Sequence, residues 1–229
     1  MRRFLVAAVV AFCALAAPAG AEAPLFLAPG QPDLADLLPS PPAPGSARER
    51  TELAELLALQ HSRTPAMAAA TAADAREQPE RILPVLGQKA RPGRLPLTMA
   101  LLRDAAEDEY LAIAAVKQTW ARRRPFLVEP ALHPCVPAPA SNSYPSRHNA
   151  FGMLMAEILG RMVPERRAAL FARARDYGDN RMVAGVHYRS DTEGGRIAGV
   201  LIAGRLFANP AFLTRFGAAR AELRGALGL

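Results

Sequence analysis

The 21 prolines of this 229-residue chain constrain its fold more than any other feature, because proline ends helices and interrupts central strands. Between the prolines, apolar residues recur every three or four positions, which is the spacing of an amphipathic helix. No alternating run of β-branched residues is long enough to predict a sheet. We therefore predict an all-α fold, a single-domain helical bundle.

Proline positions and apolar spacing together predict where the helices lie. They are expected after Ser46, at 65–76, from about 97 to before Pro125, from just after Pro145 to about 160–163, from Pro164 to Tyr177, at 183–207 and after Pro210. A proline-rich loop separates the second helix from the third. The stretch 24–45 is so rich in proline and small residues that we predict an extended arm without helix.

The first 21 residues have the pattern of a signal peptide. Arg2 and Arg3 precede an apolar run at 4–17, and Ala19-Gly20-Ala21 suits signal peptidase. An uncleaved anchor is the alternative, but the run is short for a span of about 20 residues. We expect a periplasmic or secreted protein without a membrane span after cleavage, with an extended arm at 22–45 and a helical domain at 46–229.

Charge and cysteine content narrow the function. The formal net charge is +7, but the arginines are scattered among carboxylates instead of forming a basic stripe. A small anionic substrate is therefore favoured over nucleic acid. Cys13 would leave with the signal peptide, so Cys135 could form no internal disulfide. Its proline-rich loop has no helix start beside it, which disfavours a reactive thiol.

Three short segments hold most of the residues that could do chemistry, namely 117–125, 144–148 and 180–191. They supply several cations, two imidazoles, a hydroxyl at a predicted helix start and a carboxylate. That inventory suits phosphoryl transfer, where catalysis is mostly positioning and charge stabilisation.

Lys117 and Arg124 are candidate phosphate ligands. Lys117 lies near the end of a helix whose apolar neighbours face the core, where an ammonium group is costly unless it meets an anion. Arg124 offers a planar fork that matches phosphate oxygens. The alternative is that both belong to a solvated, basic helix end.

Ser146 and His148 lie at the predicted start of a helix. Ser146 suits the N-cap, which leaves backbone N–H groups where an anion could bind, and His148 falls in the first turn. Capping serines and nearby histidines are common, so a structural role is the alternative.

His187 and Asp191 are four residues apart on a predicted helix. The carboxylate could accept the Nδ1 proton and leave Nε2 free to attack. An ordinary surface pair is the alternative. Arg181 is expected at or before the start of the same helix, as a third cation.

At these residues the sequence resembles the type 2 phosphatidic acid phosphatase and vanadium haloperoxidase superfamily, and specifically its class A bacterial non-specific acid phosphatases. The family pattern is Lys, six residues, Arg-Pro; then Pro-Ser-Gly-His; then Ser-Arg, five residues, His, three residues, Asp. The residues that match in order and spacing are Lys117, Arg124, Pro125, Pro145, Ser146, His148, Arg181, His187 and Asp191. Residues 38–47 are similar to that class's N-terminal arm. Two positions depart from the pattern, since Arg147 replaces a glycine and Asn180 replaces a serine.

The resemblance implies an acid phosphatase of broad specificity that hydrolyses phosphate monoesters without a metal or other cofactor. It implies that His187 attacks phosphorus, Asp191 orients His187, and His148 protonates the leaving alcohol and then activates water. The groups implied to hold the phosphate oxygens are Lys117, Arg124, Ser146, Arg181 and the amide of Arg147. An acidic, bell-shaped rate profile is expected. A homodimer is implied by the resemblance alone.

Two other functions stay open at this point. The same site could bind vanadate and oxidise halides, or Arg147 could block attack and leave a catalytically impaired phosphate-binding protein. A lipid substrate is disfavoured by the lack of membrane spans. We interpret His61 and His133 as incidental, and Tyr144 as lining the leaving-group side or belonging to the core.

Overall fold

The computed structural model describes residues 25–229, so the predicted signal peptide lies outside the described residues. The described part is helical and contains no strand, which confirms the predicted all-α class. Its helices are α1 (Leu34–Leu37), α2 (Ala47–Ser62), α3 (Pro65–Ala73), α4 (Pro96–Trp120), α5 (Arg147–Met162), α6 (Arg167–Val183), α7 (Arg189–Leu206) and α8 (Pro210–Leu227). Short 3₁₀ turns lie at 79–81, 83–86, 92–94, 125–127 and 164–166.

Capping residues and prolines set several helix starts, as the sequence predicts. The Ser46 hydroxyl accepts a hydrogen bond from the backbone N–H of Glu49, at 3.2 Å. The Asn209 side chain accepts from two N–H groups at the start of α8, whose first residue is Pro210. These bonds satisfy donors that the first turn of a helix leaves free.

Two predictions about the N-terminal half were wrong in detail. The arm is not free of helix, because the Asp33 carboxylate caps one helical turn, α1, and buries Leu34 in the core. The predicted helix at 65–76 ends at Ala73, because the Asp74 carboxylate is bound to Arg81 and Arg173.

The predicted boundary between α6 and α7 was also wrong. α6 continues to Val183 instead of ending at Tyr177, because its buried face extends through Met182. α7 begins at Arg189 and not at 183. The intervening Gly185 has φ 75°, a left-handed conformation that breaks the helix and that glycine adopts most easily.

α5 is the central helix, and most of its residues are buried. Two glycines of α7 let the backbones of the two helices approach closely. A Cβ added at Gly195 would lie 2.3 Å from the Ser146 carbonyl oxygen, and one at Gly199 would lie 2.4 Å from that of Ala150. This packing fixes the start of α5 beside the start of α7.

The arm is bound to α4 and to the start of α8. The Asp108 carboxylate of α4 accepts the backbone N–H groups of residues 25–27, at 2.6, 2.8 and 3.1 Å. The Phe26 ring packs edge-on against Phe212 of α8, with centroids 5.3 Å apart. The Asn209 amide donates to the Phe26 carbonyl at 2.7 Å. The arm is therefore an integral part of the fold.

No individual helix within residues 25–229 combines the length and the apolar composition needed to cross a bilayer. α7 and α8 meet that test only as a pair, and their axes bend by 97° at the break between them.

Candidate active site

The three predicted segments meet at one cavity of about 630 Å³. Its lining includes one predicted residue from each of five places in the chain: Lys117 near the end of α4, Arg124 beyond it, His148 in the first turn of α5, Arg181 in the last turn of α6 and His187 before α7. Arg147 also lines the cavity, whereas Ser146 and Asp191 are fully buried behind its wall.

His187 contacts the predicted carboxylate, but not as a pair on one helix. Tyr188 occupies the N-cap of α7, so His187 precedes the helix and Asp191 is its third residue. Nδ1 of His187 lies 3.1 Å from Oδ2 of Asp191. The same oxygen accepts the Tyr188 N–H at 2.9 Å. The carboxylate thus caps the helix and orients the imidazole.

Asp191 is also bound by two residues that the sequence analysis missed as site residues. Arg122 donates to Oδ1 at 2.7 Å, and the Ser143 hydroxyl donates to Oδ2 at 2.5 Å. Arg122 is itself buried and pairs with Glu52 of α2 at 3.2 Å. These bonds fix the carboxylate, and through it the ring of His187.

The contacts of His187 define its tautomer. Arg124 Nη1 lies 2.7 Å from Nε2 of His187, and a guanidinium can only donate, so Nε2 is the acceptor. Nδ1 therefore carries the proton that faces Asp191. Burial, reinforced by the charges of Arg124 and Lys117, lowers the pKa of His187 well below its usual value. The imidazole is neutral, with its lone pair toward the cavity cations.

Lys117 and Arg124 are bound to loop carbonyls, which leaves their charge unneutralised. Lys117 Nζ donates to the carbonyls of Asn142 and Ser143, at 2.6 and 3.1 Å. Arg124 donates to Ser141 O at 2.8 Å. Burial, with help from Arg124, lowers the pKa of Lys117 to about 7, and burial lowers that of Arg124 to about 10. An anion in the cavity would favour the charged form of both.

Arg181 is the cation most in need of a partner. It lies in the last turn of α6, and the prediction that it precedes a helix was wrong because α6 extends to Val183. The residue is 3% exposed, and its Nε and Nη1 have no hydrogen-bond partner within residues 25–229. Burial lowers its pKa. A buried guanidinium with free donors at a cavity indicates an anion site.

His148 has a carboxylate partner that the sequence analysis also missed. Nδ1 of His148 lies 2.7 Å from Glu77, and Nε2 lies 3.1 Å from the Ala75 carbonyl. The ring stacks on Tyr177, with centroids 5.5 Å apart. Burial lowers the pKa of His148, while the pairing with Glu77 opposes that shift. Burial acts to raise the pKa of Glu77, but its bond to His148 and the charges nearby lower it to about 2.

Ser146 occupies the predicted N-cap of α5, but its side chain makes no capping bond. Its hydroxyl instead accepts from the Asn149 amide at 3.1 Å, and that amide also donates to the Gly178 carbonyl at 3.1 Å. The first turn of α5 therefore keeps N–H donors that no serine side chain satisfies.

Arg147, which replaces the glycine of the family pattern, is held to one side by carboxylates. Its guanidinium lies 3.3 Å from Glu109 and 3.7 Å from Glu77, and it stacks on the Tyr110 ring at 4.5 Å. The side chain is thus restrained at the wall, where it offsets the negative charge of Glu77 close to an anion site.

Glu109 provides a test of this arrangement. Burial raises the pKa of Glu109 from 4.5 to about 8, against the opposing charge of Arg147. Between those values the folded protein keeps a proton that the unfolded chain has lost, so Glu109 makes stability fall as pH rises. Glu109→Gln is therefore expected to gain several degrees in melting temperature relative to wild type between pH 5 and pH 8, measured by differential scanning calorimetry.

Glu107→Gln, a partly exposed neighbour on α4, is the matched control and should follow the wild-type curve. Parallel melting curves of Glu109→Gln and wild type across this range would contradict a protonated Glu109.

The remaining residues singled out from the sequence lie away from the cavity. The Asn180 amide donates to Asp74 at 2.8 Å. Tyr144 is a core residue whose hydroxyl donates to the Pro39 carbonyl. His133 is exposed, and His61 lies in the last turn of α2. Neither histidine lines the cavity, as predicted.

Cys135 is unpaired and partly buried. Residues 25–229 contain no group of three or more His, Cys, Asp or Glu side chains arranged to hold a metal ion.

The fold and cavity define a helical protein with a buried anion-binding site, which is lined by cations and contains two histidines. The chain belongs to the PAP2 superfamily, whose sequence profile matches residues 95–215. It is 34% identical over 146 residues to a non-specific acid phosphatase of Salmonella typhimurium, covering 61% of this chain and 58% of that protein. It is 33% identical over 109 residues to an acid phosphatase of Zymomonas mobilis, covering 45% and 41%. The chain therefore matches about half the length of these relatives.

Among solved structures, the fold is similar to that of a bacterial vanadium-dependent iodoperoxidase. The TM-score is 0.56 at 16% identity, over 75% of this chain and 54% of that one. This likeness concerns the fold alone. The profile match over residues 95–215 confirms the predicted superfamily, and the structural likeness agrees with the predicted helical architecture.

Proposed function

We propose that this protein is an acid phosphatase that hydrolyses phosphate monoesters of broad specificity through a phosphohistidine on His187, without a metal. One observation carries the proposal. The cavity brings the lone pair of a neutral His187 together with three cations that pair with no carboxylate of residues 25–229, namely Lys117, Arg124 and Arg181. The relatives named acid phosphatases support the same activity.

In the first step, the substrate phosphate replaces His187 as the acceptor of an N–H of Arg124 Nη1, which frees Nε2. Nε2 then attacks phosphorus, and the bond from phosphorus to the ester oxygen breaks. The leaving oxygen takes a proton from protonated His148. The cations hold the equatorial oxygens, where charge must be stabilised throughout the transfer.

In the second step, His148 is neutral and can accept a proton from water. The water oxygen attacks phosphorus, the bond to Nε2 breaks, and inorganic phosphate leaves. Asp191 keeps the Nδ1 proton of His187 in place throughout, which favours return of the same tautomer. Both histidines then regain their starting protonation states.

The direction of the pKa shifts predicts an acidic optimum. Turnover needs His187 neutral and His148 protonated, and burial lowers the pKa of both. The rate should therefore rise as His187 loses its proton and fall as His148 loses its own, with both limbs in the acidic range. The limbs report the coupled pair and not one residue each.

The test is hydrolysis of several phosphomonoesters between pH 3 and pH 9 in EDTA. We expect a bell-shaped profile with its maximum below pH 7 and full activity in EDTA. Loss of activity in EDTA would contradict the metal-independent mechanism. Bromide oxidation with peroxide and vanadate, without phosphatase turnover, would instead identify a haloperoxidase.

The contacts of Arg147 weaken the alternative hypothesis that this side chain blocks attack and leaves a catalytically impaired phosphate-binding protein. Its contacts with Glu109 and Glu77, and its stacking on Tyr110, hold the guanidinium against the wall of the cavity. Tight phosphate binding without turnover would support that alternative.

We propose, from the first 21 residues, that the protein is exported to the periplasm or secreted. A small phosphate monoester is the partner that the cavity suits, and not nucleic acid. A homodimer and the absence of a membrane span after cleavage stay predictions.

A further inference from the structure

Residues 74–77, which we call the clamp segment, surround the ring of His148. The Glu77 carboxylate contacts Nδ1 at 2.7 Å, and the Ala75 carbonyl contacts Nε2 at 3.1 Å. The Arg76 carbonyl accepts from the Tyr177 hydroxyl at 2.8 Å, and the Tyr177 ring stacks on His148. Three consecutive residues thus restrain one imidazole, directly or through the ring stacked on it.

The clamp segment is itself anchored at Asp74, which is 2% exposed. Its carboxylate binds Arg173 in a bidentate pair, at 2.6 and 2.9 Å. It also accepts from Arg81 at 3.0 Å and from Asn180 at 2.8 Å. These bonds tie the loop to α6 and restrain it, as a loop that positions a catalytic side chain requires.

The two ring nitrogens of His148 both face acceptors. A carboxylate at Nδ1 and a carbonyl at Nε2 are satisfied together only when each nitrogen carries a proton. These two hydrogen bonds therefore favour the imidazolium, the form that a general acid needs before it can donate, whereas burial opposes it.

We propose that Glu77 is a positioning residue that holds His148 as the proton donor to the leaving group. This inference rests on the proposed phosphatase function. Nδ1 of His148 keeps its proton throughout the cycle and donates it in a hydrogen bond to the Glu77 carboxylate. Nε2 turns its proton from the Ala75 carbonyl to the departing ester oxygen, and later takes a proton from water. The site then contains two pairs of histidine and carboxylate with opposite tasks, one for the nucleophile and one for the acid.

The charges around His148 set the direction of the pH effect. The titratable and charged groups around it come from several segments of the chain. They are Arg76 and Glu77 of the clamp segment, Tyr110 and Lys117 of α4, Arg124 beyond α4, Arg147 of its own helix, Tyr177 and Arg181 of α6, and His187 before α7. Glu109 lies behind Arg147. Burial and Arg181 lower the pKa of His148, and Glu77 opposes them. Removing the Glu77 charge should lower that pKa further, so His148 would lose its proton at a lower pH.

The experiment compares Glu77→Gln with wild type on two substrates. Glycerol phosphate has a poor leaving group that needs a proton, whereas 2,4-dinitrophenyl phosphate has a good one that does not. We expect kcat/KM to fall about 100-fold for glycerol phosphate and less than about fivefold for the dinitrophenyl ester, the difference being the contribution of general acid catalysis. The basic limb of the glycerol phosphate profile should move to lower pH by about one unit.

Glu80→Gln is the matched control, since Glu80 pairs with exposed Arg103 and does not line the cavity. It should behave as wild type. Equal losses on both substrates with an unmoved basic limb would overturn the proposal and leave Glu77 a structural role.

Should Glu77→Gln fail to fold, Glu77→Asp keeps the charge and decides the same question. It should preserve the wild-type pH profile while kcat falls more for glycerol phosphate than for the dinitrophenyl ester, and a uniform fall would overturn the proposal. Failure of wild type to hydrolyse either ester would count against the phosphatase function instead.

Discussion

Replacement of His187 by alanine is expected to lower kcat for p-nitrophenyl phosphate by at least about 10⁴-fold, since removal of a catalytic nucleophile leaves only binding and charge stabilisation. The fold should persist, because His187 contributes no charge to the ion pairs around Asp191. Steady-state kinetics measure the loss. Acid quenching with ³²P-labelled substrate should trap phosphate on wild type and not on the variant.

The matched control is His133→Ala, an exposed histidine outside the cavity, which should retain wild-type kinetics. Equal labelling of His187→Ala and wild type would show that another residue carries the phosphoryl group.

The second large effect is expected for Asp191→Asn, in both activity and stability. The amide presents a donor where the carboxylate held the Nδ1 proton of His187, so kcat should fall by about 10³-fold to 10⁴-fold. Arg122, buried and paired with Asp191 at 2.7 Å, would lose its shorter ion pair. A broken buried pair costs about 3–5 kcal/mol, to be measured by urea unfolding at pH 7.

Glu193→Gln, on the same helix but in an exposed pair with Arg48, is the control for Asp191→Asn. It should change stability by less than about 1 kcal/mol. If Asp191→Asn unfolds at the wild-type urea concentration, the network around Arg122 contributes little to the fold.

Local chemistry in the sequence was enough to predict the helical class and most helix starts. Ser46 before α2 and Pro210 at the start of α8 act within one turn, so their effect is visible without tertiary structure. The cavity residues could be grouped because their spacing resembles that of a known family. Spacing alone would not have brought Lys117 and His148 to one cavity.

The errors arose where a distant partner decides the local structure. α3 ends early because Asp74 is bound to Arg173 of α6, 99 residues further along the chain. Glu77 and Arg122 escaped notice for the same reason: each belongs to the site only through a side chain from another segment. The break between α6 and α7 lies at Gly185, and the spacing of apolar residues does not reveal the left-handed backbone conformation of this glycine.

The contact of Phe26 with Phe212 has a consequence for how the chain acquires its structure. It joins residues from opposite ends of the described chain, and the Asn209 bond to the Phe26 carbonyl spans 183 positions. Closing so large a loop is slow, because the chain loses conformational entropy before the contacts that stabilise the closed loop have formed. During synthesis Phe26 cannot pack against Phe212 until α8 has been made. Aggregation during this interval, more than instability of the finished molecule, is the hazard that the topology creates.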